Sequence, residues 1–257
     1  MSSDAHAQRI SFCTDAELGY QRSRTLFPPG HGLVLDESYR LAHLPLVAPR
    51  HPDVIAEQDG KFYQSGRHPR VASLVLPVAH ELLFGSPTYR ELDAELRVAP
   101  FAKKLAWDLL ERRKARLHAT LCGQLAVGDP AFTIDAERKA ALRRIGPLRI
   151  RLAGLFSGNI NLGRLYLCVY PETRDGVNAI HLIQRAMQRP PSDLYLVGLH
   201  NFVDHLDARE ADALGELIAR WWARPIVEFT CHHLWTLGAS DDLALDSSID
   251  ELVPLGP

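Results

Sequence analysis

The chain has 257 residues, 46% hydrophobic and 23% charged, so it can bury a sizeable core and has the composition of an ordinary globular protein. A formal net charge of −2 excludes a bulk electrostatic nucleic-acid binder, which needs many clustered cations, and leaves room only for a local basic patch. No apolar run is long enough to cross a bilayer, and Asp4, His6, Arg9, Asp15 and Glu17 interrupt any secretory hydrophobic region between Met1 and Gly30; no membrane partner and a cytoplasmic location are expected.

Cys13, Cys122, Cys168 and Cys231 are scattered and form no C-x-x-C pair, so they carry neither a zinc nor a redox motif and read as buried, reduced thiols. Residues 1–70 are broken by Pro28-Pro29-Gly30-His31-Gly32, Pro45, Pro49, Pro52 and Gly60, and are expected to form an extension packed on a core of residues 71–257. Val71 to Val78 is rich in β-formers and predicts a strand. Ala99 to Arg116 carries Phe101, Leu105, Leu109 and Leu110 at helical spacing and predicts a helix.

A short alternating run, Arg116 to Leu121, comes next. Asp135 then stands as the N-cap of a helix over Ala136 to Ile145, which Gly146-Pro147 stops. Leu148 to Phe156 and Leu162 to Tyr170, joined through Ser157-Gly158-Asn159, predict a hairpin. A helix over Gly176 to Gln188, a strand over Leu194 to Val203, a helix over Ala208 to Trp222 and a strand over Ile226 to Leu237 follow. Leu117-His118 and Leu199-His200 occupy corresponding places in this order, which reads as an internal duplication. The fold expected is α+β, with two pseudo-symmetric lobes whose antiparallel sheets, flanked by helices, surround a central cleft.

Strand alternation puts His118 and Thr120 on one face, and His200, Phe202 and Asp204 together on another. With its flanking elements, His118-Ala119-Thr120-Leu121 resembles the His-x-Thr/Ser-x motif of the two-histidine phosphoesterase superfamily, over roughly Val71 to Leu252. The second motif, His200-Asn201-Phe202-Val203, keeps the histidine but has Phe202 where the family has Thr or Ser.

The resemblance implies an enzyme: a metal-independent, cofactor-free phosphodiesterase acting on a cyclic or 2′-5′ phosphodiester of RNA or a nucleotide. His118 and His200 would be the acid–base pair and Thr120 would hold phosphate. The chemistry suits imidazoles, since a neutral ring accepts a proton while a protonated one donates to the leaving oxygen. The alternative expectation is a non-catalytic RNA or nucleotide binder that kept the cleft and lost a hydroxyl, with Phe202 stacking on a base.

Arg116, at the end of the basic run Glu111 to Arg116, is expected to receive the polyanion. Alternation turns one of His232 and His233 toward the cleft, and His233 is taken as a substrate contact. Asp204 is a candidate to orient His200, or a cap. His205 reads as a surface or capping residue, and the absence of a third ligand at local spacing argues against a metal at the His pair. A monomer is expected.

Overall fold

The computed structural model describes residues 10–128 and 130–256. Residues 1–9 of the expected extension, and that part of the segment read for a secretory region, lie outside the described residues. In chain order the strands are β1 (Arg67–Pro77), β2 (His118–Val127), β3 (Leu148–Ser157), β4 (Arg164–Pro171), β5 (Thr173–Arg174), β6 (Val177–Asn178), β7 (Leu196–Asn201), β8 (Pro225–Cys231), β9 (His233–Asp241) and β10 (Ser247–Pro254). The helices are α1 (Tyr20–Ser23), α2 (Glu37–Ala42), α3 (Leu44–Val47), α4 (His80–Gly85), α5 (Pro87–Val98), α6 (Trp107–Arg113), α7 (Ala136–Ile145), α8 (Ala179–Ala186) and α9 (Ala208–Trp221). Among the described residues, no helix is long and apolar enough to cross a membrane.

Eight strands form one antiparallel sheet in the order β10-β9-β1-β2-β7-β4-β3-β8, while β5 and β6 make a separate small ladder. Its two four-stranded halves meet along β2 and β7 through a single registered pair, Ala119 with Val197. The α+β class with antiparallel strands is therefore as expected, but the halves share one continuous sheet. His232 alone separates β8 from β9 in sequence, although five strands stand between them in the sheet, so the sheet curls until its ends approach. The strand expected over Ile226 to Leu237 is accordingly two strands, β8 at one edge of the sheet and β9 next to the other.

Alternation divides the sheet into two faces. On one, Ala119, Leu165, Leu167 and Val197 join a large apolar cluster with Leu92 of α5, Ile183 of α8 and Leu214 of α9. The other face, with Ser73, Thr120, Tyr166 and Gly198, opens onto a cleft. Leu18, Tyr20, Leu35, Tyr39 and Leu44, from the segment read as an extension, are buried in the same apolar cluster. Tyr39 is also tied to β7's end by its hydroxyl, which donates to the Phe202 carbonyl at 2.7 Å.

Local chemistry explains most element ends. Asp135 caps α7 by accepting the Arg138 N–H at 2.8 Å, as its position predicts. Asp207 and Glu210 form a reciprocal capping box at the start of α9. The helix expected over Ala99 to Arg116 is broken into a 3₁₀ turn at Ala102–Lys104, then α6, then a 3₁₀ turn at Lys114–Arg116. The break has a cause outside the segment. Leu105 forms a β-bridge with Phe202, and the Ala106 N–H donates to the Asn201 carbonyl at 2.9 Å, which commits this stretch of backbone to β7's end.

Candidate functional site

Two adjoining chambers of ≈ 300 and ≈ 240 Å³ form the cleft, and His118, Thr120, Arg164 and Asp242 line both. His118 opens β2, with Thr120 two residues on and exposed. The His118 Nδ1–H donates to the Arg116 carbonyl at 2.7 Å, which fixes the neutral tautomer and leaves the lone pair on Nε2. Burial pushes the imidazole pKa down to about 4; the Arg116 carbonyl works against this, and Arg164 and Arg113 add to it. At neutral pH His118 is therefore a proton acceptor.

His200 does not face this ring. Gly198 pairs with Tyr166 and His200 with Leu165, so two steps on β7 oppose one on β4 and mark a β-bulge at Leu199. Gly198 and Tyr166 line the cleft, whereas His200 is carried to the apolar face, 1% exposed, with its ring edge against Trp107 at 4.9 Å. Neither of its ring nitrogens has a hydrogen-bond partner among the described residues. Burial, then Arg113 and Arg97, lower its pKa to about 3, so the ring stays neutral.

The expected pairing of His118 with His200 across the cleft is corrected by one inserted residue, because a one-residue slip exchanges the faces of a strand. Phe202 is corrected with it. Its ring is fully buried and packs edge-on against Phe101 at 5.8 Å, so no face remains for a base. Asp204 does not orient His200; it accepts a hydrogen bond from His51 at 3.1 Å. Arg116 lines the second chamber. His233 stands exposed at the start of β9, outside the residues that line either chamber.

Position in sequence concealed several groups that share the cleft with His118. Arg164 opens β4 and lays its guanidinium across β7, where a Cβ on Gly198 would sit 2.1 Å from Nη2, so only glycine seats it there. Its Nη1 donates to the Asp242 carbonyl at 3.0 Å, and its Nε has no partner among the described residues. Arg113, the buried member of the basic run, donates to the carbonyls of Gly198 and Leu243. Burial and the neighbouring Arg164 lower Arg113 to about 9, so the Arg113 guanidinium remains charged at neutral pH. Two adjacent guanidiniums beside a chamber make a seat for an anion.

At the other chamber, Asp241 accepts the N–H groups of Leu243, Leu245 and Asp246, and so folds the β9–β10 connection that presents Asp242. Asp242 takes hydrogen bonds from Tyr63 Oη at 2.8 Å and His68 Nε2 at 3.3 Å. Burial would raise its pKa, but His68, His43 and Tyr63 outweigh that and hold it at about 2. The His68 Nδ1–H donates to the Pro69 carbonyl at 2.8 Å, so both ring nitrogens face acceptors. Burial opposes the His68 cation, yet these bonds raise its pKa. His43 is buried against Tyr39, and burial followed by Arg164 lowers it to about 3.

His51, Asp53 and His205 bring one ligand atom each within 4.8 Å of one another, a spacing suited to a cation. The proton positions argue otherwise. His205 Nδ1 accepts the Leu35 N–H at 2.9 Å and His51 Nδ1 accepts the Asp53 N–H at 3.1 Å, which leaves each ring proton on Nε2. Those protons point at Asp53, 2.6 Å from His205, and at Asp204. A cation would have to displace both while the Nδ1 lone pairs stay occupied, so the geometry is that of a clamp between residues 35–53 and the β7–α9 connection. His205 is thus a part-exposed strut between these segments and not a cap.

No family model matches the chain, and no curated protein matches it. Among solved structures, the crystal structure of TT0787 of Thermus thermophilus overlaps 72% of this chain and 97% of that one, at 12% identity and a TM-score of 0.37. So loose an overlap carries no weight in assigning a function.

Proposed function

We propose that the cleft binds a phosphodiester of RNA or a nucleotide and hydrolyses it with a single imidazole, His118, as general base. The observation that carries this reading is the convergence of a neutral imidazole, a hydroxyl and a guanidinium, His118, Thr120 and Arg164, on the same two chambers. The resemblance of His118-Ala119-Thr120-Leu121 to the two-histidine phosphoesterase motif agrees with it. In a cyclic 2′,3′-phosphate, Nε2 of His118 takes a proton from water as the water oxygen bonds to phosphorus. One ester P–O bond breaks, and the leaving oxygen takes its proton from solvent, because His200 is not in the cleft and the ring nitrogens of His68 are held by the Pro69 carbonyl and Asp242. Thr120 and Arg164 hold the non-bridging oxygens, where charge accumulates. A missing general acid is worth about 10²- to 10⁴-fold in rate, so turnover is slow by the standard of an imidazole pair.

Ring opening of adenosine 2′,3′-cyclic phosphate, followed by ³¹P NMR, tests the proposal. The expected result is slow conversion to a monoester by the wild type and none by His118→Ala, with binding retained. A wild type that binds without converting it establishes the second reading, a non-catalytic nucleotide or RNA binder, which the burial of His200 and Phe202 favours.

A further inference from the structure

The segment before β1 places an aromatic group at the mouth of the cleft. Phe62 lines the same chamber as His118 and Thr120, yet is 53% exposed. Single exposed apolar side chains are ordinary on a protein surface; what sets this ring apart is its place in the polar chamber with His118 and Thr120.

The ring is nevertheless held firmly. One face lies on Tyr63, with centroids 4.9 Å apart and planes 20° from parallel, and His68 meets both rings edge-on at 5.7 and 5.5 Å. Tyr63 is anchored through its hydroxyl to Asp242, and His68 is anchored to the same carboxylate. The platform is therefore tied to a residue that lines both chambers, so its position is set relative to the anion seat.

Gln124 and Asn161 line the same chamber and are both held in the left-handed region, at φ 50° and 59°. This conformation costs energy in residues other than glycine and recurs where a backbone is fixed for binding. Arg189 fixes the first by donating to the carbonyls of Gly123 and Gln124, and Asp36 fixes the second by accepting the Asn161 N–H at 3.0 Å. A carboxamide offers a donor and an acceptor together, which suits the edge of a heterocycle.

We infer that Phe62 is a stacking platform for the base of a nucleotide whose phosphate lies at His118, Thr120 and Arg164. The inference rests on the phosphate-binding reading of the cleft and adds to it the side chain that holds the base. A base stacked on Phe62 covers the exposed ring and leaves its edge within the chamber lined by Gln124. Base–aromatic stacking tolerates any base, so Phe62 sets the class of ligand and not its identity.

Isothermal titration with adenosine 2′-monophosphate and with inorganic phosphate separates this inference from the reading beneath it. The wild type is expected to bind the nucleotide more tightly than phosphate. Phe62→Ala should weaken the nucleotide by about 5- to 150-fold, the span of one stacked base, and leave phosphate unchanged. Phe62→Trp should restore nucleotide affinity, which loss of fold would not allow. If phosphate binds but Phe62→Ala leaves nucleotide affinity intact, the platform is refuted while the phosphate cleft stands. If neither probe binds the wild type, the cleft reading fails and the platform falls with it.

Discussion

His118 and His200 lie on opposite faces of one sheet. The strands that carry them are neighbours, joined at Ala119 and Val197. Uninterrupted alternation from Leu196 and Gly198, which line the cleft, would bring His200 to the cleft as well. The extra residue at Leu199 turns it into the interior against Trp107.

Restoring the hydroxyl that the second motif lacks should therefore fail. Phe202 is fully buried against Phe101, so Phe202→Thr removes a core ring and is expected to cost about 3 kcal/mol or more of stability. It should give no gain in turnover of the cyclic phosphate. Denaturant unfolding and the ³¹P assay check both parts; a faster variant would mean that position 202 reaches the phosphate.

Gly198 is a more sensitive position than its lack of a side chain implies. Its missing Cβ makes room for the Arg164 guanidinium. Gly198→Ala should push that group from its seat and weaken phosphate binding about tenfold or more, the loss of a charge-assisted hydrogen bond. His118 should keep its place. Titration with inorganic phosphate measures the effect, and unchanged affinity would remove Arg164 from the anion seat.

Three imidazoles give the stability a predictable pH dependence. His43 and His200 are lowered to about 3 and His118 to about 4, whereas each titrates near 6.5 when unfolded. Below 6.5 the unfolded chain binds protons that the folded chain refuses, so stability is complete above that pH and falls as pH drops toward 4. The fully buried pair each contribute a slope of about 1.4 kcal/mol per pH unit in that window. His68, raised instead, works in the opposite sense and loses its contribution only as pH climbs through its folded value. Calorimetry should find Tm falling steeply below pH 6; a flat Tm down to pH 4.5 would contradict the neutral burial of these rings. Turnover, which needs neutral His118, should fall on the acid side only near pH 4.

The clamp at His205 should control how firmly residues 35–53 are held. His205→Ala removes the acceptor for the Leu35 N–H and the donor to Asp53. Hydrogen exchange at Leu35 and in the segment around Asp53 should accelerate by an order of magnitude or more, with β2 and β4 unaffected. Adding zinc to the wild type should not slow that exchange, since the Nε2 atoms carry protons. Zinc-dependent protection would identify a cation site instead.

Much of the fold was legible because it is written locally. Asp135 announced a cap, Gly146-Pro147 a stop, and the β3–β4 hairpin had both its alternation and its turn. The site was half legible for the same reason: His118 and Thr120 are two residues apart on one strand, and alternation suffices to put them together. Arg164, Asp242, His68 and Phe62 reach the cleft only because the sheet curls and the N-terminal segment packs across it, which no local pattern records. The bulge at Leu199 was equally silent, since it arises from the register between β4 and β7.

The central claim is that, of the two histidines His118 and His200, only His118 meets the ligand. Long-range ¹H–¹⁵N correlation of the histidine rings, assigned with His118→Ala and His200→Ala, reads each ring during titration with adenosine 2′-monophosphate. The His118 ring signals should shift to saturation while those of His200 stay fixed. Equal shifts at both rings, or an unmoved His118 under saturating ligand, would contradict the claim.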